Sequence, residues 1–289
     1  MKAVLAATLL ALASATPAMA QAFDTGGKLL LTGGVSTVEG SGGGGLATWA
    51  TTTGYGTGEG VGGNLHGTLV SLPDFELRSW GAAVGLYDRV ELSYARQSFD
   101  TQDAGAALGL GKGFTFNQDI WGVKVVLVGD AVYDQDRLLP QIAVGAQYKR
   151  NDRGVIIAAV GGEDDEGTDY YVAATKLLLD RSLLLNGTVR MTKANQAGLL
   201  GFGGPNDSDY SAQFEGSVAW LATKRLAFGA EYRSTPSTLA FAKEDDWVDL
   251  VAAWAVNKNL SVTAAWVDLG DIATFRNQSG FYISLQAGF

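Results

Sequence analysis

Cysteine is absent from this sequence, and histidine occurs once, as His66. The first absence excludes a disulfide framework and any thiolate metal site; the second leaves general acid–base chemistry thinly supplied. Proline is scarce at 5 residues, against 39 glycines. Long apolar runs are missing as well. Beyond the first twenty residues, runs such as Val155 to Val160 fall far short of the ~18 residues a helical membrane span needs. Basic residues are outnumbered, 21 Lys and Arg against 30 Asp and Glu, which argues against nucleic acid or an anionic membrane surface as partner.

What is present begins with an export signal. Lys2 heads an apolar stretch from Ala3 to Ala13, and Ala18-Met19-Ala20 precedes Gln21. A basic start, a hydrophobic segment of this length and a small-x-small site read as a cleavable signal peptide over residues 1–20. An exported chain without a helical anchor is periplasmic, secreted or an outer-membrane β-barrel. A mean hydropathy near zero combined with repeated alternation favours the barrel.

The final segment carries that reading furthest. In FYISLQAGF, Phe281, Ile283, Leu285, Ala287 and Phe289 share one face of a strand, and Tyr282, Ser284, Gln286 and Gly288 share the other. A closing barrel strand needs an apolar outward face about nine to eleven residues long, with an aromatic at headgroup level. Phe281, Ile283, Leu285 and Phe289 also resemble the C-terminal assembly signal of bacterial outer-membrane proteins.

The same period recurs upstream. Strands are expected near 61–71, 74–86, 89–99, 118–129, 139–149, 168–179, 183–192, 209–221, 225–234, 246–256, 260–268 and 278–289. Tight connections at 87–89, 180–182, 222–224 and 257–259 suit a type I turn with a bulge. Longer polar ones at 100–117, 150–167, 193–208, 235–245 and 269–277 supply the loop asymmetry of a bacterial barrel. The expected fold is all-β: a single transmembrane antiparallel barrel of about 12 strands over residues 61–289. It becomes 14 if the Gly-rich segment 21–60 forms a hairpin instead of lying in the lumen as a plug.

On this register Glu91, Lys124, Lys149, Lys176, Arg190, Glu215, Glu231, Arg233 and Asp249 line the lumen, and Tyr94, Tyr148, Tyr171, Trp220 and Tyr232 lie on the apolar face near strand ends. Pairing Leu221 with Arg225 would set Glu215 opposite Glu231, a like-charge pair that needs a proton or cation between its members, with Arg190 and Arg233 as nearby partners. These charges read as a structural ion-pair network, a selective solute path, or both.

A hydrolase would have to combine His66 with Ser71 or Ser93, and no spacing favours it. The acidic run Glu163 to Glu166, with Asp169 nearby, lacks EF-hand spacing and reads as a loop tip near lipopolysaccharide phosphates, so no metal site and no cofactor are expected. The expected function is narrow passive passage of a small solute. The alternative is a structural or accessory envelope role, in polysaccharide export or assembly, with a closed lumen. Expected partners are outer-membrane lipid, lipopolysaccharide and the barrel-assembly machinery.

The phrases VELSYARQ at 90–97, DAVYDQD at 130–136, GTDYYVAATK at 167–176 and TKANQAGLLGFGG at 192–204 resemble a proteobacterial family catalogued as domain of unknown function 3034. The resemblance implies an outer-membrane barrel and brings no activity or binding residues. Within the last phrase, Asn195 and Gln196 offer donors and acceptors among glycines that permit tight turns, so the loop reads as a structural surface loop or, alternatively, as a folded-in or ligand-facing segment.

Overall fold

The computed structural model describes residues 26–289, so the signal-peptide reading of residues 1–20 lies outside the described residues. Alternating side chains leave each strand one apolar face, and the strands close on themselves, so that no sheet edge is left unpaired. They are β1 (Val61–Ser71), β2 (Glu76–Leu86), β3 (Val90–Asp100), β4 (Thr115–Val128), β5 (Gln141–Asn151), β6 (Glu166–Leu178), β7 (Leu183–Thr192), β8 (Ser211–Thr223), β9 (Leu226–Arg233), β10 (Trp247–Ala255), β11 (Leu260–Asp268) and β12 (Ser279–Gly288). Each pairs antiparallel with its sequence neighbours, and β12 closes on β1 with Leu69 opposite Ile283 and Leu65 opposite Ala287. All twelve fall within three residues of the expected bounds.

One end of the barrel carries the tight turns, Phe289 and the 129–140 connection; the other carries the remaining longer connections and the short 72–75 link. At the turn end, Tyr87 and Asp88 both take positive φ, 55° and 50°, and Arg89 N–H bonds to the Leu86 carbonyl. Two left-handed residues give this one connection the backbone sign of a type I′ turn, with Leu86 opposite Val90; at 180–182 only Ser182 is left-handed, φ 53°, as the expected type I turn with a bulge requires. The Val155 to Val160 stretch becomes a short helix, Gly154–Ala159, inside the connection between β5 and β6.

The outer face is apolar and ringed by aromatics. Trp80, Tyr94, Trp121 and Tyr148 form a ladder across β2 to β5 at 5.7 Å per step, and the Tyr94 and Tyr148 hydroxyls donate to Asp119 and Glu166. Rings on one side and carboxylates on the other place the boundary between hydrocarbon and headgroups at this level. Phe281, Ile283, Leu285 and Phe289 all point outward and are exposed, while Tyr282, Ser284 and Gln286 point inward and are buried.

The interior is filled. Residues 31–55 are buried throughout, yet residues 26–60 contribute only isolated bridges and no barrel strand, which sets the count at 12 and not 14. Toward the loop end, inward Val70, Phe99, Phe116 and Trp247 pack with Leu199 and Leu200 of the connection after β7 into a hydrophobic core, capped by Phe75 stacked on Phe99 at 5.1 Å.

Lipid exposure of the outer face has a direct test. Val218, exposed on β8 between Phe214 and Trp220, should tolerate Leu but lose about 2–4 kcal/mol on Val218→Arg, measured by denaturant unfolding in lipid vesicles.

Candidate functional site in the barrel lumen

The inward faces of β3 to β10 present charges, and what meets them is the chain's own backbone. Glu91 on β3 accepts the amides of Gly42 (3.0 Å) and Thr53 (2.7 Å). Its partner Lys124 on β4, at 3.1 Å, donates to the carbonyls of Gly42 (3.0 Å) and Thr51 (2.9 Å). Glu231 on β9 takes the Leu46 amide at 2.7 Å, Glu215 on β8 the Thr48 amide at 2.8 Å, and Thr175 on β6 the Ala50 amide at 2.8 Å. Thr188 on β7 donates to the Thr48 carbonyl at 2.7 Å. Residues 42–53 are thus held by backbone bonds to wall side chains, which satisfies polar groups that burial would otherwise leave unpaired.

This docking explains the SGGGG run at 41–45. A Cβ on Gly44 would lie 1.6 Å from Glu231 Oε1, so a side chain there would push the segment off the wall. Gly54 has φ +75° and its Cβ would meet the Gly63 nitrogen at 2.2 Å, where the segment turns against β1.

The centre of the site is Glu39. Arg233 Nη1 donates to its Oε2 at 2.9 Å, Lys149 is in direct contact, and Arg190 Nη2 lies at 3.8 Å. The same cations hold wall carboxylates: Arg190 binds Glu215 at 2.5 Å and Asp169 at 3.4 Å, and Lys149 binds Asp169 at 2.8 Å. The wall alone sets three cations against two carboxylates here, and Glu39 balances the count. Arg190 also lies over the Tyr171 ring at 5.2 Å and Arg233 over Trp247 at 5.5 Å. Arginine suits these roles because its planar fork bonds several acceptors while its face stacks on a ring.

From the loop end the residues 194–204 fold in and are buried. The Ala197 carbonyl accepts Lys149 Nζ (3.1 Å) and Gln118 Nε2 (3.1 Å), and Asn151 reaches the Leu199 carbonyl at 3.0 Å. Lys149 therefore ties Glu39 of the inner segment to the inward-folded loop. Asn195 donates to the Gly203 carbonyl (3.0 Å) and accepts from Thr238 (2.6 Å); the Gln196 amide donates to both oxygens of Glu244, at 2.9 and 2.8 Å. Gln196 and Ala197 take positive φ, 45° and 56°, to present that amide. Asn195 and Gln196 thus bond to the protein's own loops.

Of the expected lumen residues, Glu91, Lys124, Lys149, Arg190, Glu215, Glu231, Arg233 and Asp249 are buried and inward-facing. Lys176 is buried but not inward-facing: it shares the outward side of β6 with Tyr170 and Val172, and its Nζ donates to the carbonyls of Asp134 and Leu139 in the connection after β4. Tyr171, expected outward, is inward under Arg190. Both inversions arise because Tyr170, Tyr171 and Val172 put apolar groups on both faces, so the alternation there has no readable phase. The expected opposition of Glu215 and Glu231 is also replaced. A bulge between Leu221 and Thr223 shifts the register so that Glu215 faces Arg233 and Glu231 faces Ser217. The residue sequence reasoning missed is Glu39. It is the one carboxylate between Asp24 and Glu59, and that isolation was its available signal.

His66 is buried, with Nε2 at 3.5 Å from Ser79 Oγ, which itself donates to the Val38 carbonyl at 2.7 Å. Ser71 points outward from β1. The acidic run divides: Asp164 pairs with Lys193 at 3.2 Å, Glu166 lies 3.7 Å from Arg150, and Asp169 turns into the lumen. Two cavities of about 40 and 30 Å³ lie inside, room for a few waters and not for a solute.

Closed antiparallel sheet, lipid-suited outer face and occupied lumen define an outer-membrane type of β-barrel. Residues 32–286 match the family described as Protein of unknown function (DUF3034), and the chain belongs to that family. No curated protein matches it. Among solved structures it is similar to the KdgM porin in complex with disordered oligogalacturonate, at 10% identity over 78% of this chain and 99% of that one, with a TM-score of 0.52. The NanC porin follows at 10% identity, 78% and 98% coverage and 0.48, and outer membrane phospholipase A from Escherichia coli at 9%, 78%, 92% and 0.43. At these identities the likeness is one of fold.

Glu244 gives this region a pH dependence. Burial pushes its carboxyl up to about 8, with the Gln196 N–H pulling the other way. The folded group keeps a proton that an unfolded glutamate loses near pH ~4.3, so its contribution is full below that pH and lost as pH rises through 8. Hydrogen-exchange protection of residues 195–203, corrected for intrinsic rate, should fall over that window and stay flat in Glu244→Gln. Equal profiles in both would contradict the assignment.

Proposed function

We propose that the protein is a restricted outer-membrane channel for a small solute, closed at rest by residues 26–60 and opened when that segment leaves the wall. In this reading the tight-turn end faces the periplasm, the long connections face outward to lipopolysaccharide, and the apolar β12 face with Phe289 serves the barrel-assembly machinery. The observation that carries it is the balance of charge around Glu39. Wall cations Lys149, Arg190 and Arg233 exceed the carboxylates Asp169 and Glu215 by one, so the wall is complete only with the segment in place. Released, the same side chains line a hydrated path and set its selectivity. Lys124, Lys149, Arg190 and Arg233 face five wall carboxylates in all, a balance that singles out neither an anionic nor a cationic solute.

A second reading, a structural or accessory envelope barrel whose lumen stays closed, is favoured by the filling itself: residues 31–55 and 194–204 are buried inside the wall. Conductance in planar bilayers separates the two. The full mature chain should be nearly silent, and Glu39→Gln, which leaves the wall cluster with an unbalanced positive charge, should give frequent discrete openings. Arg233→Gln in that background should then shift ion selectivity. Silence from every variant, each shown to be folded by heat-dependent gel mobility, would favour the structural role.

A further inference from the structure

The register that relieves Glu215 creates a different conflict. Glu231 now lies directly opposite Asp249 of β10, both facing inward. Opposed like charges on one sheet face are destabilising, and more so away from water. The wall cations are engaged elsewhere: Lys124 with Glu91, Lys149 with Glu39 and Asp169, Arg190 with Glu215 and Asp169, and Arg233 with Glu39 and Glu215. Glu231 is partly served by the Leu46 amide and, at 2.7 Å, by the Ser217 hydroxyl. Asp249 has less: its neighbour is the Glu231 carboxylate itself, which serves it only through a proton or a cation held between the two. Asp249 is 2% exposed, and neither of its oxygens has a hydrogen-bond partner of good geometry.

A third strand points to the same place. The Tyr282 hydroxyl of β12, 1% exposed, also lacks a partner of good geometry. A Cβ built on Gly45 would lie 3.4 Å from Asp249 Oδ2, 3.5 Å from Glu231 Oε2 and 3.5 Å from Tyr282 Cζ, so the three side chains surround one point against the inner segment. Between β10 and β12, strand β11 presents Val267 opposite Asp249 and the small Ala265 opposite Tyr282.

We propose that Asp249, Glu231 and Tyr282 form a buried site for one hard divalent cation of calcium size, which holds residues 44–46 of the inner segment against β9, β10 and β12. The donors are all oxygen, the preference of such an ion, and two carboxylates with no other counter-charge match a double positive charge. A proton shared between the carboxylates would leave the second Asp249 oxygen unpartnered; a cation engages both carboxylates and the phenol, whose other polar neighbours are the Ser284 and Thr68 hydroxyls. The site stands independently of whether the lumen conducts.

The test uses the full mature chain, refolded in zwitterionic detergent free of lipopolysaccharide and stripped with chelator. Calcium titration by calorimetry should show one saturable site, and calcium should raise the temperature at which the folded gel band is lost. Asp249→Asn should abolish both effects, whereas Glu163→Gln, in the exposed acidic loop, should leave both unchanged. Should Asp249→Asn fail to fold, Tyr282→Phe removes only the hydroxyl and should weaken calcium affinity on the order of tenfold. Absence of calcium binding by the native chain, retention of it in Asp249→Asn, or stabilisation produced only by acidification, the signature of a shared proton, would each overturn the proposal.

Discussion

Three cations from β5, β7 and β9 converge on the carboxylate of Glu39, and the rest of the interior is arranged around that point. Buried ions are tolerated only when paired and hydrogen-bonded, so each partner is fixed by the others. Lys149 carries the constraint outward to the Ala197 carbonyl and Arg190 carries it sideways to Gln147, Asp169 and Glu215. The inner segment and the folded-in loop are in this way parts of one network and not two independent closures. Removing Glu39 alone leaves excess positive charge where no water is available to solvate it, which is why the segment reads as part of the wall's electrostatics.

The barrel is consequently built like a soluble protein turned inside out only in part. Its outer face is apolar for lipid, yet its loop end also holds an apolar interior of Val70, Phe75, Phe99, Phe116 and Trp247. An open pore would expose those groups to water. The inward-folded Leu199 and Leu200 bury them instead, which gives the long connection after β7 a packing reason to descend into the barrel.

Strand positions were legible because lipid and lumen select opposite side chains at a period of two, and the bounds moved by at most three residues. Where both faces are greasy, as at Tyr170 to Val172, the phase was lost and Lys176 was placed on the wrong side. The pairing of β8 with β9 depended on a bulge near Ala222 that no residue type announces, so the Glu215–Arg233 contact could not be read. The glycines of 41–45 signalled close approach without saying to what. Gln196 and Ala197 adopt left-handed backbone that neither residue type advertises, so the capture of Glu244 was illegible as well. The family resemblance, carried chiefly by the phrase at 192–204, foretold the barrel and was silent on its contents.

Occupation of the lumen by residues 26–60 is the claim on which all of this rests, and the cysteine-free chain makes it directly measurable. Single Thr48→Cys and Leu138→Cys variants of the folded protein would be exposed to a water-soluble maleimide under identical conditions. Thr48 is fully buried and Leu138 is 96% exposed, so labelling at 138 should be rapid and labelling at 48 slower by orders of magnitude until the barrel is unfolded. Comparable rates at the two positions in the folded state would mean that the segment is not seated in the wall.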